Sequence, residues 1–461
     1  MKSDLIVVGG GPGGYVCALR AAQRGIKVAL VEERHLGGVC LNWGCIPTKA
    51  LYAATRLLDR ASSASEMGIT FAPARVDLAR LAEWKEGVVR RLAGGIADLL
   101  NAAGVTVFEA RGTLAGNGRV ALSTGETLEA TAIVLATGSA PVEIPPFPFS
   151  HPRVWSSDDA LALPEVPRRL AVIGGGVVGL ELATIYRRLG SEVTVIELLP
   201  DLLASVDLDR RIMALVKRGL VAAGIQVKTG VKATALEERN GAAALALSDG
   251  TALPVDRVLV AVGRRPRTSD LGLAEASVSL DPRGFVAVDE RHMTTAAGIY
   301  AIGDMAPGPM LAHKASAEGL ALADQLAGDA PRALRAEEIP QAVFTDPEVA
   351  SVGLSERAAR DAGHEVLVGR FPYAALGKAL GMREGEGSFQ VVADAADRRI
   401  LGAAIVGAEA SDLIAEAAVA VRCGLTLDDI AHTVHAHPSL PEGFLEAAEH
   451  ALGRAIHTTN R

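Results

Sequence analysis

The chain reads as an α/β protein carrying two parallel-sheet units of one design. Three observations predict this. The 461 residues are 49% apolar and 22% charged, the balance of a folded protein, and at about 100–200 residues per domain they leave room for two to four domains. An apolar strand, residues 5–8, runs into the glycine-rich turn Gly9-Gly10-Gly11-Pro12-Gly13-Gly14 and then into helix formers over 15–24. The same succession returns 165 residues later.

In the first unit the β-branched run reads as a strand buried on both faces. Gly25 closes the following helix as a C-terminal cap, and a second strand over 28–31 ends at Glu32. This is the G-x-G-x-x-G arrangement with an acidic residue after the next strand. Gly9 permits the tight turn, Gly11 lets the backbone approach a pyrophosphate, and Gly14 lets helix and strand pack closely. The helix N-terminus offers N–H groups to phosphate, and Glu32 an acceptor for a ribose hydroxyl.

By itself such a motif is also consistent with a βα turn that binds nothing. The second copy argues against that: residues 170–173 lead into Gly174, Gly176 and Gly179, with Glu197 after the next strand. Two Rossmann-like dinucleotide-binding domains are expected. Each motif is followed at a distance by an apolar strand ending in a small-residue turn, over 132–138 and 258–263, and the proline-rich stretch 141–148 reads as a linker. Glu197, followed by Leu198-Leu199-Pro200, stands where a 2′-phosphate would call for a basic side chain, so the second site is expected to take NAD. Arg264, Arg265 and Arg267 read as a solvated turn or a phosphate contact.

Cys40 and Cys45 are five residues apart. Five residues of ideal helix rise about 7.5 Å, too far for a relaxed disulfide. The segment before Cys45 must therefore be distorted, and Gly44 is placed to permit it. Pro47 suits the first turn of a helix running on through 50–59, which would set Cys45 at a helix N-terminus, where the dipole favours a thiolate. Lys49 adds positive charge one turn on. Two buried thiols or half a metal site are the other readings. Cys17 and Cys423 lie far away in sequence, so a four-cysteine zinc site is not expected, and a redox disulfide is the favoured reading.

His432, His435 and His437 do not fall on one helical face and have no adjoining acidic ligand, so no metal is expected there. His437 read alone is a structural residue. With thiol chemistry upstream, which needs a base, it becomes a general base made more basic by Glu442. A net charge of −8 without a block of like charges gives no reason to expect a nucleic-acid partner. The apolar run at the N-terminus stops at Gly9, so no signal peptide is read, and no charge-free segment reaches the roughly 18 residues of a membrane span. Four cysteines in so long a chain fit a reducing, cytoplasmic setting better than a secreted disulfide scaffold.

The segments GGGPGGYVCALRAAQRG, GGVCLNWGCIPTKAL, GGGVVGLELA, YAIGDMAPGPMLAHKASAEG, FTDPEVASVGLSE and HAHPSLPEGF span almost the entire chain. Through them the sequence resembles the flavoprotein pyridine nucleotide–disulfide oxidoreductases. It is most similar to the branch that oxidises protein-bound dihydrolipoamide with NAD, for 2-oxo-acid dehydrogenase complexes or glycine cleavage.

The resemblance implies FAD at Gly9, Gly11, Gly14, Glu32, Lys49, Gly138 and Asp304, and NAD at Gly174, Gly176, Gly179, Glu197 and Gly263, with Glu181 paired to Lys49 beside the flavin. Cys40 would be the interchange thiol and Cys45 the thiol facing the flavin. His437, supported by Glu442 and followed by a cis bond to Pro438, would come from the other subunit of a homodimer. Implied partners are lipoyl domains and the E2 core of 2-oxo-acid dehydrogenase complexes, or the glycine cleavage H protein. The implied division is an FAD-binding domain over 1–146, an NAD-binding domain over 147–263, a central segment over 264–335 completing the FAD site, and a C-terminal α+β dimerisation domain over 336–461. Trp43 and Pro441 depart from the family pattern and bear on the substrate mouth. The alternative is another NAD(P)H-dependent flavoprotein disulfide reductase, or a flavin-fold binding protein without catalysis.

Overall fold

A computed structural model describes residues 2–116, 118–331 and 333–460. Strand β1 (Leu5–Val8) is buried along its whole length and pairs in parallel with β2 (Val28–Glu32), Leu5 opposite Val28. Between them helix α1 (Pro12–Gln23) starts three residues earlier than its helix formers suggest, because Pro12, preset for the first turn, opens it. Gly25 follows the helix at φ +83°, the left-handed cap its position requires.

The first sheet runs Ile299–Ala301, Ala132–Leu135, β1, β2, Thr106–Glu109, with every pairing parallel. Its edge strand Ile299–Ala301 arrives only after the second unit is complete, so the chain returns to finish the first. Helix Ala312–Leu326 comes back with it and lies on α1. Arg20 and Arg24 of the α1 end pair with Asp324 and Asp329, and a Cβ on Gly319 would lie 2.5 Å from the Gly13 carbonyl oxygen.

The second sheet repeats the plan: Gln226–Thr229, Glu192–Glu197, Arg169–Ile173, Arg257–Val260, Val154–Trp155, again all parallel. The last region is different. Strands Gln341–Val343, Val349–Gly353, Ile400–Val406, Ser388–Asp394 and Val366–Pro372 form an antiparallel sheet, on which helices Ala410–Cys423 and Glu442–Ala451 pack. Tyr373 and Phe389, stacked at 4.9 Å, and Phe371 and Phe444 fill the space between sheet and helix. Burying one such side chain is worth about 1.5–3 kcal/mol. Among the described residues no helix is long and apolar enough to cross a membrane.

Candidate functional site: two glycine cradles and a disulfide

The two glycine turns agree atom for atom. Gly9 and Gly174 have φ of +109° and +112°. A Cβ on either would sit 2.2 or 2.3 Å from the carbonyl oxygen of Ala136 or Ala261, so only glycine fits. A Cβ on Gly14 or Gly179 would strike the oxygen of Gly9 or Gly174 at 1.8 or 2.1 Å. Helix and turn therefore pack backbone to backbone. Gly11 and Gly176 are the exceptions. A Cβ on Gly11 would meet nothing nearer than 3.8 Å, and one on Gly176 nothing within 4 Å. The space these two leave is open, and no side chain caps either helix that follows, which leaves first-turn N–H groups for phosphate.

Glu32 and Glu197 also match. Each accepts from the middle glycine of its turn, Gly10 or Gly175, at 2.6 Å, and from the residue two positions on, Arg34 or Leu199, at 2.7 Å. Both carboxylates thus brace their own turns, and each oxygen keeps a second lone pair for a ribose hydroxyl.

After β2 the chain forms a short helix, α2 (Gly38–Trp43), breaks at Gly44 (φ −140°, ψ −109°), and starts the long helix α3 (Cys45–Ser63). Thr48 Oγ donates to the Gly44 carbonyl at 2.6 Å and fixes the break. The break brings the Cα atoms of Cys40 and Cys45 to 4.6 Å, and the two form a disulfide. Cys45 is the first residue of α3, at the positive end of its dipole. By contrast Cys17, buried inside α1, is pushed up to about 12 by burial and stays a thiol.

The disulfide lies in a cavity of about 2100 Å³, lined also by Gly9, Gly11 and Glu32 of the first cradle and by Val177, Val178 and Glu181 of the helix after the second. Lys49 Nζ donates to both Glu181 oxygens at 3.0 and 2.9 Å, joining the two units across it. The Phe344 N–H donates to the same carboxylate at 3.0 Å, and the Phe344 ring lies 4.3 Å under the Lys49 ammonium. Glu181 is buried but fully partnered.

Asp304 lies in the turn Gly303–Met305 and accepts from Ser139 Oγ at 2.5 Å, and Ser139 accepts in turn from Arg264 Nε at 2.8 Å. Arg264 is therefore not part of a solvated turn; its guanidinium also donates to the Ser139 carbonyl at 3.0 Å. Strand Arg264–Pro266 pairs with Ser139–Pro141 and carries its guanidinium inward. Gly138 (φ +74°) stands just before that strand on the cavity wall, and Gly263 (φ +124°) just before Arg264. The turn itself is clamped by Glu318, which accepts the Gly303 N–H at 2.7 Å, and by Lys314, which donates to the Gly303 carbonyl at 3.0 Å. Ser139, Arg264, Lys314 and Glu318 received no such role from the sequence. The i,i+4 spacing of Lys314 and Glu318 was the one available signal.

The His437–Pro438 bond is cis. His437 Nδ1 is 2.8 Å from Glu442 Oε1, and the Ser439 N–H donates to the other oxygen at 2.6 Å. Burial pushes the Glu442 carboxyl up, but these partners outweigh it and hold it below the usual range. Neither residue lines the cavity of its own chain, and the imidazole is 80% exposed. Among the described residues no group of three or more His, Cys, Asp or Glu is arranged to hold a metal.

Comparison with known proteins agrees over the full length. Residues 3–319 match the pyridine nucleotide-disulphide oxidoreductase model, and 339–448 match that family's dimerisation domain, through which the chain forms a homodimer. A dihydrolipoyl dehydrogenase of Thermus scotoductus is 46% identical, with 99% of each chain covered. Another, of Haloferax volcanii, is 44% identical over 100% of this chain and 98% of its own. Among solved structures, LpdA of Mycobacterium tuberculosis superposes with a TM-score of 0.90 at 26% identity, covering 97% of this chain and 99% of its own. The flavoprotein disulfide reductase RclA of Escherichia coli, in a Cu(II) complex, gives 0.88 at 27% with the same coverage. The chain belongs to the pyridine nucleotide–disulphide oxidoreductase family.

Proposed function

We propose that the chain is an NAD-dependent dihydrolipoyl dehydrogenase. The observation that carries this reading is the Cys40–Cys45 disulfide at the head of α3, in one cavity walled by residues of both nucleotide units. The relatives near 45% identity, matched end to end, bear that name.

The residues of the first cradle fit FAD. Gly11 leaves the approach open, the N-terminus of α1 is uncapped, and the cavity continues from there to Cys45. Gly9, Gly14, Glu32, Gly138, Lys49 and Asp304 complete that set. Gly174, Gly176, Gly179, Glu197 and Gly263 would hold NAD, with no basic side chain among them to favour a 2′-phosphate. Bound FAD would supply the two-electron relay between the cysteine pair and NAD.

The chain's own residues perform the thiol chemistry. The imidazole of the partner subunit's His437 takes a proton from one thiol of dihydrolipoamide. Glu442 accepts its Nδ1–H, fixing the tautomer that leaves Nε2 free as base. The substrate thiolate attacks Cys40 Sγ; the Cys40–Cys45 bond breaks, and Cys45 leaves as a thiolate. The head of α3 and Lys49 favour that charge. The second substrate thiol then attacks its partner sulfur in the mixed disulfide, releasing lipoamide and a Cys40 thiol. Lipoyl domains of 2-oxo-acid dehydrogenase complexes, or the glycine cleavage H protein, would bring the substrate. A cycling dithiol suits a reducing, cytoplasmic setting.

The test is NADH formation from dihydrolipoamide and NAD by the purified homodimer, with NADP in parallel. Turnover with NAD alone is expected. Flavin bound without turnover on either nucleotide would move the substrate to another small disulfide.

A further inference from the structure

The chemistry above leaves Trp43 and Arg34 without a part. Arg34 stands in the loop between β2 and α2, and its guanidinium carbon lies 3.8 Å from the centroid of the Trp43 ring. The His35 ring leans on the same indole, with centroids 5.5 Å apart. Among the described residues Arg34 forms no ion pair, so the indole face is what its cation meets.

This loop is the one that returns over the first cradle. The Gly37 N–H donates to the Gly10 carbonyl at 2.8 Å, and a Cβ on Gly38 would come within 2.7 Å of Gly11 Cα. Asn42 Nδ2 donates to the carbonyls of Leu36 and Gly38 at 3.0 and 2.9 Å. The far end of the loop is thus pinned to α2 by Asn42, and its near end by the Arg34 N–H on Glu32 together with the stack of the Arg34 side chain on Trp43. Arg34, Gly37, Gly38 and Trp43 all line the cavity. A cofactor seated on Gly11 would leave more easily if this cover lifted.

We propose that the Arg34–Trp43 stack is a latch that keeps the 33–38 loop closed over the pyrophosphate of bound FAD and slows its release. The proposal rests on the FAD reading of the first cradle. It assigns Trp43 to cofactor retention and not to the substrate mouth. The pair touches neither cysteine's reacting partner in the scheme above, so both residues act as positioning residues.

The experiment is FAD release from the holoenzyme, followed by rapid filtration after dilution into flavin-free buffer, alongside the dihydrolipoamide KM. Arg34→Gln and Trp43→Leu are each expected to speed release about two- to fivefold, the worth of one exposed cation–aromatic contact. Trp43→Phe, which keeps an aromatic face, should stay near the parent rate. Arg34→Gln combined with Trp43→Leu should be no faster than the faster single variant, because both remove one contact. Unchanged release in Arg34→Gln, or a double variant equal to the product of the two singles, would overturn the latch. A raised KM for dihydrolipoamide with unchanged release would return Trp43 to the substrate mouth and overturn it as well. A folded parent protein that purifies without flavin would refute the FAD reading itself, before the latch is reached.

Discussion

Gly10 and Gly175 donate the same 2.6 Å hydrogen bond to Glu32 and Glu197, and the loops beyond return in the same way, Gly37 to Gly10 at 2.8 Å and Leu203 to Gly175 at 2.9 Å. From there the two units diverge. At the second position of the helix the first unit has Gly13, whose Cβ would meet Ala315 atoms of the returning helix at 3.3–3.4 Å. The second has Val178, 38% exposed, beside a loop where Leu198 is 61% exposed. The loop of the first unit continues into α2 and the disulfide; that of the second leads to helix Arg210–Ala222, which carries no cysteine. One frame has thus been closed over and joined to redox chemistry, while the other has been left open. A covered cradle suits a cofactor that stays through many turnovers, and an open one suits a nucleotide that must leave after each.

The largest effect expected from this division concerns the element only the first unit has. Cys45→Ser should abolish dihydrolipoamide oxidation while the protein keeps its flavin, measured as turnover and flavin content of one preparation. Loss of flavin together with turnover would make the disulfide a structural staple. His437→Gln tests the base, which belongs to neither cradle. Turnover should fall by about 10²- to 10⁴-fold with flavin content unchanged, and near-parental turnover would remove His437 from the scheme.

The cradles themselves are separated by Gly11→Ala and Gly176→Ala. Neither new methyl meets another part of the chain nearer than 3.8 Å, so each intrudes only on ligand space. The first should cost flavin content. The second should leave flavin in place and raise the NAD KM on the order of tenfold, for about 1.4 kcal/mol of lost contact. Equal effects of both on flavin would erase the distinction between the units. Smallest is a stability effect: Gly14→Ala, which would place a methyl 1.8 Å from a backbone oxygen, should destabilise the protein by about 1–3 kcal/mol, the usual range for overpacking. Thermal unfolding of Gly14→Ala beside Gly11→Ala checks this, and equal melting temperatures would contradict the packing account.

Much of this comparison was legible in the amino-acid sequence, for a physical reason. A strand, a glycine turn and a helix are written locally, so β1, α1 and their repeats, and with them the α/β class, the two dinucleotide sites and the preference for NAD, could be read from short segments, while the family and FAD came through resemblance. The break at Gly44 followed from geometry, since an unbroken helix holds Cys40 and Cys45 too far apart. Pairing between distant segments has no such local signature. Nothing in the pattern of 264–267 says that Arg264 turns inward to Ser139, because that depends on a strand more than a hundred residues away. The clamp of Lys314 and Glu318 on Gly303 was hidden for the same reason, and the return of the segment holding Ile299–Ala301 to the first unit was expected through the resemblance alone. The antiparallel third region was expected from resemblance alone.

The central claim is that the closed cradle serves the disulfide half of the reaction and the open one the nucleotide half. Rapid-mixing kinetics of Gly176→Ala test it most directly, with each half followed separately through flavin absorbance. The account predicts that dihydrolipoamide bleaches the flavin at the parental rate, while return of colour on adding NAD is slowed about tenfold under subsaturating nucleotide. Equal slowing of both halves would contradict it.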